Sequence, residues 1–321
     1  MNISVFGAAG TVGQALIPVL TEQGHTVRAM EHTAPVGGPV SGVVRGSITD
    51  PEAVSALVEN AQIVMQLTKG GKGVKQAVET STHGTINILD AVRSTPSVEQ
   101  YLLTSSDAAA GIWFHQHDRP VSHLTEPMSY SGYYSLGKVL EETLVREYSR
   151  NGTIPYTVAR LSWVRREDNI LQHFTAGFNK EAPLSGMWSG HFSEDQKKRL
   201  MNGEQFIVLP CSEEGSPLAR TFVHRDDAVS GIISMIGNSS ALRQRFHVSG
   251  PGFSYDEPAH YLAEKTSLSV EKITCPFCYP FDIDISHTRE RTGWNPEYSV
   301  IDMIDTALEW DRAQPQSLFR T

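Results

Sequence analysis

Apolar residues come in short runs at the start of the chain, and the spacing between them alternates between two periods. Ile3, Val5 and Phe6 form a run that predicts a buried strand over residues 2–6. After a glycine-rich stretch, Val12, Leu16, Ile17 and Leu20 recur at helical spacing. The alternation continues. Gly24 through Met30 reads as a second strand ending at Glu31, and Val43-Val44 as a short third. Asp50-Pro51 is an N-cap followed by proline at the first helical position, with Val54, Leu57 and Val58 inward. Ile63-Val64-Met65 is a fourth strand, and residues 74–93 read as one long helix striped by Val78, Ile86, Leu89 and Val92. Tyr101-Leu102-Leu103 is a fifth strand and residues 154–160 a sixth. Strands that alternate with helices predict a parallel sheet covered on both faces.

Past residue 160 the alternation stops. Residues 161–205 are polar and aromatic, with Trp163, Arg165, His173, Phe174, Phe178, Asn179, Lys180, Trp188 and His191. The Glu194–Arg199 charge run reads as an exposed helix face. Arg220 begins a returning strand. Val300, Ile301, Ile304, Ala307, Leu308 and Trp310 give a last helix one apolar face. The expected organisation is an α/β, Rossmann-like doubly wound domain over residues 1–165, with 206–240 returning to it. A smaller C-terminal lobe takes residues 166–205 and 241–321.

Composition narrows the partners. The 321 residues are 40% hydrophobic and 20% charged, as in a globular chain, and the net charge is -9. An acidic surface argues against nucleic acid and anionic membranes. No apolar run is long enough to span a bilayer. The first strand starts at once, with no leader expected. Three cysteines suggest a reducing compartment, and cytoplasmic residence follows. Cys275-Pro-Phe-Cys278 lacks the further ligands of a zinc site, since Cys211 is the third cysteine. His115, His117 and His123 lie in a loop read as a substrate-facing lid, and no metal is expected.

Gly7-Ala8-Ala9-Gly10-Thr11-Val12-Gly13 lies between the first strand and the first helix. Glycines there let the backbone approach a pyrophosphate, and a helix N-terminus supplies N–H groups. A plain tight turn is the bland alternative. Glu31, at the second strand end, is placed to accept hydrogen bonds from ribose hydroxyls and to repel a 2′-phosphate, which points to NAD. Arg28 and His32 leave NADP open. Thr68-Lys69-Gly70-Gly71-Lys72-Gly73 is a loop at the ligand-binding sheet edge, its lysines read as solvated.

Tyr134 and Lys138 stand four apart, and Leu136, Val139, Leu140, Leu144 and Val145 around them recur at helical spacing. Both side chains then share one helix face. A phenol with a pKa of about 10 is a poor base at neutral pH, and a nearby ammonium lowers that value. The pair is therefore suited to trading a proton with an alcohol or a carbonyl. By chance alone, many helices carry such a pair with the tyrosine packed and the lysine solvated.

Taken together, these motifs resemble the extended short-chain dehydrogenase/reductases of the NAD-dependent epimerase/dehydratase kind. The resemblance rests on Gly7-x-x-Gly10-x-x-Gly13, Ser105-Ser106, Tyr134-x-x-x-Lys138, the Arg220–Asp227 stretch and Thr292-Gly-Trp-Asn-Pro296, in family order over nearly the whole chain. It implies that Tyr134 is the acid/base, that Ser106 (or less favoured Ser105) binds the substrate oxygen, and that Lys138 holds the nicotinamide ribose and depresses the Tyr134 pKa. It implies a dinucleotide held by Gly7, Ala9, Gly10, Thr11, Val12, Gly13, Glu31, Ser47, Ile48, Leu67, Thr68, Thr104, Tyr134, Lys138 and Leu161. Substrate contacts fall to Ser105, Asp107, Tyr133, Trp163 and Arg220, with Glu126 touching hydroxyls. A homodimer through residues 74–93 and 131–151 is also implied.

Departures from the family pattern shape the functional expectation. Sugar dehydratases of this kind carry Asp-Glu after the serine, whereas Asp107 is followed by Ala108. A second phosphate-binding arginine is missing from the Ile273–Cys278 neighbourhood, which has only Lys272 nearby. A diphosphate would lose a charge-assisted pair there. The expectation is NAD(P)-dependent oxidoreduction of a small hydroxylated substrate such as a polyol, sugar or sugar acid. Sugar epimerisation is the alternative within the same chemistry, and a non-catalytic dinucleotide sensor is the alternative from another class.

Overall fold

Strands whose residues are buried on both faces need cover on both sides, and the first half of the chain supplies it. The computed structural model describes residues 1–71, 73–130, 132–150, 154–276 and 278–314. Lys72 and Phe277, both read from the sequence above, lie outside the described residues, as does residue 131 of the expected dimer helix. Six strands follow the predicted order: β1 (Asn2–Phe6), β2 (Thr26–Glu31), β3 (Gly42–Arg45), β4 (Ile63–Gln66), β5 (Gln100–Ser106) and β6 (Tyr156–Leu161). The later strands are β7 (Trp163–Arg165), β8 (Thr175–Ala176), β9 (Phe206–Cys211), β10 (Ala219–His224), β11 (Gln244–Val248), β12 (Gly252–Ser254) and β13 (Val270–Thr274).

Seven strands form one parallel sheet in the order β11-β6-β5-β4-β1-β2-β3. The strand order reverses between β1 and β4, and the crevice above such a switch point is where ligands bind in open α/β sheets. Helices Thr11–Glu22 and Arg225–Ile233 cover one face, packed on Ile3, Val5 and Phe246. Helices Pro51–Val58, Thr85–Ser94 and Tyr133–Tyr148 cover the other, around Val64, Tyr101 and Leu103. Asp50 caps its helix as predicted, accepting from the N–H groups of Glu52 and Ala53.

Two small sheets, β12-β10-β7 and β13-β9-β8, build the second lobe around an aromatic core that includes Trp113, Phe174, Phe222 and Tyr255. The lobe boundaries differ from the sequence reading. Phe206–Cys211, expected to return to the main domain, pairs with β8 and β13 in the lobe. Gln244–Val248, expected in the lobe, pairs with β6 and closes the main sheet. Both segments are short apolar runs, and a run does not say which edge it will join.

Three local expectations change as well. Residues 74–93 are helical but not uniform: Val74–Glu79 and Thr85–Ser94 flank a wider π turn, Thr80–Gly84. That turn carries buried Ser81, whose hydroxyl donates to Glu141 Oε1 at 2.9 Å. Trp310 is 38% exposed, because the last helix buries Val300, Met303, Ile304, Ala307, Leu308 and Asp311 instead. The helix Tyr133–Tyr148 buries Ser135, Gly137, Lys138, Glu141, Glu142 and Val145. Its apolar residues Leu136, Val139, Leu140 and Leu144 are only half-buried. The polar side turns inward because its charges find partners there.

Candidate active site

The loop after β1 is shaped by what a Cβ would strike. Gly7 has φ +83°, and a Cβ on it would lie 2.7 Å from the Leu67 carbonyl carbon. A Cβ on Gly13 would lie 2.5 Å from the Ala8 carbonyl oxygen, so glycine lets helix and loop close together. Gly10 is the N-cap of the helix Thr11–Glu22, and no side chain caps that end. Its first N–H groups therefore remain open to a ligand. A cavity of about 360 Å³ opens there, lined by Gly7, Ala9, Gly10, Ser47, Ile48, Leu67 and Thr68 of the expected set. Ala8 of the glycine loop, His32, and Lys69 and Gly71 of the loop at the sheet edge also line it, with Met30, Thr33, Ala34, Gln76 and Thr80, which were not singled out from sequence. A backbone cradle, an uncapped helix N-terminus and this elongated lining fit a dinucleotide.

Other members of the expected set sit elsewhere. Thr11, Val12, Gly13, Thr104 and Leu161 do not line the cavity. Glu31 is turned aside: its carboxylate accepts from the Val36 N–H at 3.1 Å and from Arg45 Nε at 2.9 Å. Those bonds, the Val36 one first, hold its carboxyl below the usual range. The Thr104 hydroxyl donates to the Gln66 carbonyl.

Tyr134 stands beside this cavity, on the first turn of its helix. Ser106 draws its pKa down, while the serine hydroxyl itself donates to Asp107 Oδ1 at 3.0 Å. Lys69, read as solvated, is exposed, and its Nζ lies 5.6 Å from the centre of the Tyr134 ring. Lys138 Nζ donates to three acceptors, the Thr68 and Thr104 carbonyls and Glu141 Oε2, each at 2.9 Å. An ammonium has three donors, so all are spent. The Lys138 and Glu141 side chains are 5% and 0% exposed. Burial alone would lower Lys138, but the Glu141 carboxylate outweighs it and the lysine stays charged.

Glu141 has a consequence for the tyrosine. The expectation was a depressed phenol, yet the Tyr134 pKa lies above its ordinary value. Burial raises it, Lys138 and Ser106 pull it down, and Asp107 and Glu141 push it further up. Sequence reasoning saw the lysine and missed the burial that outweighs it; Asp107 and Glu141, the acid three residues on, add smaller upward pushes. The signal for Glu141 was there: Lys138 and Glu141 share a helix face.

Glu142, the neighbour of Glu141, holds Arg160 in two bonds, Nε to Oε1 at 2.8 Å and Nη2 to Oε2 at 2.9 Å. The Ser105 hydroxyl donates to the same Oε1 at 2.5 Å. Ser105 is thereby committed to the seam between sheet and helix and is not available to a substrate. Tyr133 is 39% exposed at the helix start. Glu126 is exposed and pairs with Arg146 at 3.2 Å rather than facing the site.

Asp107 is buried, and its Oδ1 accepts from Ser106 at 3.0 Å. Burial raises its carboxyl, while Arg220 draws it down. Tyr130, also beside Asp107, is pushed up to about 12 by burial. Arg220 is buried between two indoles, its guanidinium carbon 4.1 Å from the Trp113 ring centre and 4.0 Å from that of Trp163. Arg165 lies over Trp163 at 4.2 Å. The β7–β10 register aligns Trp163 with Phe222 and Arg165 with His224, which brings these side chains together. His173 is fully enclosed here. Arg165 Nη2 lies 3.1 Å from its Nδ1 and the Tyr255 hydroxyl 2.6 Å from its Nε2. Arginine can only donate, so Nδ1 is the acceptor and Nε2–H donates to Tyr255. Burial, then Arg165 and Arg220, hold its pKa well below the usual value.

Of the loop histidines, His115 Nε2 lies 3.1 Å from the Ser129 carbonyl and His123 stacks on His287 at 3.8 Å, while His117 Nε2 and His123 Nδ1 are buried without a hydrogen-bond partner. The three cysteines are free.

Comparison with known proteins follows this geometry. A family model described as the NAD dependent epimerase/dehydratase family matches residues 3–249. UDP-glucuronic acid decarboxylase 3 of Arabidopsis thaliana is 24% identical over 94% of this chain and 86% of its own. A short-chain dehydrogenase/reductase superfamily protein from Agrobacterium tumefaciens, solved with bound NAD, superposes with a TM-score of 0.81 at 21% identity, covering 97% of both chains. UDP-glucuronic acid 4-epimerase from Bacillus cereus, solved with NAD, superposes at 0.70 with 18% identity, over 95% of this chain and 97% of that one.

Proposed function

The chain belongs to the NAD dependent epimerase/dehydratase family, and on that footing we propose that it interconverts an alcohol and a carbonyl on a small hydroxylated substrate, using NAD. One observation carries the reading: Tyr134, Ser106 and the charged Lys138 meet at the sheet edge beside the glycine-loop cavity. Bound NAD would supply the two-electron acceptor for the hydride of the carbinol carbon. The chain's own groups handle the proton and the geometry. Ser106 holds the substrate oxygen. Tyr134 receives the hydroxyl proton in oxidation and returns it in reduction. Lys138 keeps a positive charge under the phenolate as it forms, which lowers the cost of proton transfer.

Ala108 stands where an elimination would need a second carboxylate, so dehydration is disfavoured. A compact substrate is supported by Arg220, which is clamped between Trp113 and Trp163 and faces Asp107, so it is not extended toward a distant diphosphate. The three free cysteines support a reducing, cytoplasmic setting. Half-buried Leu136, Val139 and Leu140 support pairing of two copies through this helix; a monomer by light scattering would end that part.

The test is Tyr134→Phe. Turnover should fall by about 10²–10⁴-fold, with NAD affinity within twofold of the parent by calorimetry. Unchanged turnover would remove the mechanism. Absorbance of reduced nicotinamide separates dehydrogenation, which changes it, from epimerisation, which leaves it flat.

A further inference from the structure

Five buried polar atoms without a partner belong to side chains joined by close contacts: Arg220 between Trp113 and Trp163, Arg165 over Trp163, and Asp107 acting electrostatically on both Arg220 and Tyr134. The atoms are Asp107 Oδ2, the Trp113 indole nitrogen, Arg165 Nε, and Arg220 Nε and Nη1. Buried polar groups are almost always satisfied, so a cluster left open marks a ligand's place. Its composition is lopsided: four N–H donors and one carboxylate acceptor.

The charges are lopsided too. Among the described residues, Arg165 and Arg220 have no carboxylate within salt-bridge distance; Asp107 acts electrostatically on Arg220, while Arg165 feels Arg220 and Tyr255. Burial raises Tyr130, Tyr255 and Cys278, which keeps them neutral, and His173 is held neutral as well. Burial and mutual repulsion push Arg165 down to about 10, still charged at neutral pH. Two cations therefore face one anion. A buried charge without a partner is costly. One further negative charge would balance the pocket.

We propose that this pocket takes the carboxylate of a hydroxy acid. The carboxylate lies against Arg165, Arg220 and the Trp113 N–H, and a neighbouring hydroxyl donates to Asp107 Oδ2. The reacting carbinol then falls at Ser106 and Tyr134, because Asp107 adjoins Ser106 in both chain and hydrogen bonding. The substrate class is a monoanionic polyhydroxy carboxylate. The proposal rests on the oxidoreductase reading for its choice of reacting group. The shared chemistry is an anionic acceptor, which a phosphate ester also offers, but a dianion would overshoot the single missing charge.

The experiment uses the full chain carrying Tyr134→Phe, loaded with NAD, so that binding is read without turnover. Calorimetry compares four- to six-carbon aldonates with the matching neutral polyols, the aldonamides, the sugar phosphates and UDP. Aldonates should bind at least tenfold tighter than polyols and amides. Arg165→Met should erase that preference with NAD affinity unchanged. If that variant does not fold, Asp107→Asn in the same background should weaken aldonates and their amides alike while keeping the preference for the charged form. Equal binding of acid and polyol, tightest binding of a phosphate ester or UDP, no measurable aldonate binding, or a preference that survives Arg165→Met would each overturn the subsite. Turnover on the parent enzyme is scored separately. Neutral polyols oxidised with no preference for acids sink the subsite and spare the oxidoreductase reading. Acids bound through Arg165 with no hydride exchange on any substrate sink that reading and leave the subsite standing.

Discussion

The two sides of the cleft are built from different materials. The glycine-loop side is backbone: Gly7, Gly10 and Gly13, with a helix N-terminus left uncapped. The opposite side is side chain: buried arginines, indoles and carboxylates that come from β5, β6, β7, β10 and the loop through Trp113. A backbone site depends on local conformation, so contiguous residues specify it. A side-chain site depends on register and on charges that must be paired once buried. The first fails by steric contact, the second by leaving a charge alone.

That contrast orders the expected losses. The largest lies on the side-chain side. Glu142→Leu leaves Arg160 buried with its main carboxylate gone, and breaking such a pair costs about 3–5 kcal/mol. Denaturant unfolding should register it, and a loss under 1 kcal/mol would mean the seam is wet. On the backbone side, Gly7→Ala sets a Cβ against Leu67 at positive φ and should cost about 1–3 kcal/mol. NAD affinity should drop with it; an intact affinity would mean that loop does not hold the dinucleotide.

A smaller effect separates the two sides by pH. His173 and His247 are buried and their pKa values lie well below the ordinary one, chiefly through burial. The unfolded chain therefore binds their protons first. Their contribution is fully present above the unfolded value of about 6.5 and is lost as pH falls below it, by up to about 1.4 kcal/mol per pH unit for each. Thermal melts from pH 7 to 5 should show the decline, and His173→Gln should flatten it. A decline that His173→Gln leaves unaltered would mean that this histidine is not held neutral. The smallest effect concerns Glu141→Gln, which removes a negative charge facing Tyr134 and keeps the shape. The tyrosinate difference spectrum, taken against a matched Tyr134→Phe variant, should show Tyr134 ionising at lower pH, by about one unit or less. No movement would mean the Lys138–Glu141 pair does not set the acidity of the phenol.

Much of the sheet was legible from residues alone, because a strand buried on both faces reads as an apolar run and Asp50-Pro51 announces its helix. The glycine loop was legible for a related reason: its function is a backbone shape. Legibility failed where partners are distant in sequence. Glu31 looked like a ribose ligand until Arg45 and the Val36 N–H claimed it. Ser106 was favoured over Ser105 only by the resemblance, and the fold adds that Glu142 takes Ser105.

By itself the sequence determined the alternation of strands and helices, the glycine cradle and the Tyr134–Lys138 spacing, since each depends on neighbours within a few residues. Only the tertiary structure decided that Glu142 would hold Arg160, that Phe206–Cys211 and Gln244–Val248 would exchange lobes, and that Arg220 would lie between Trp113 and Trp163. Those outcomes depend on which distant charge or ring is brought within a few ångströms, and burial then makes each such encounter either a partnership or a penalty.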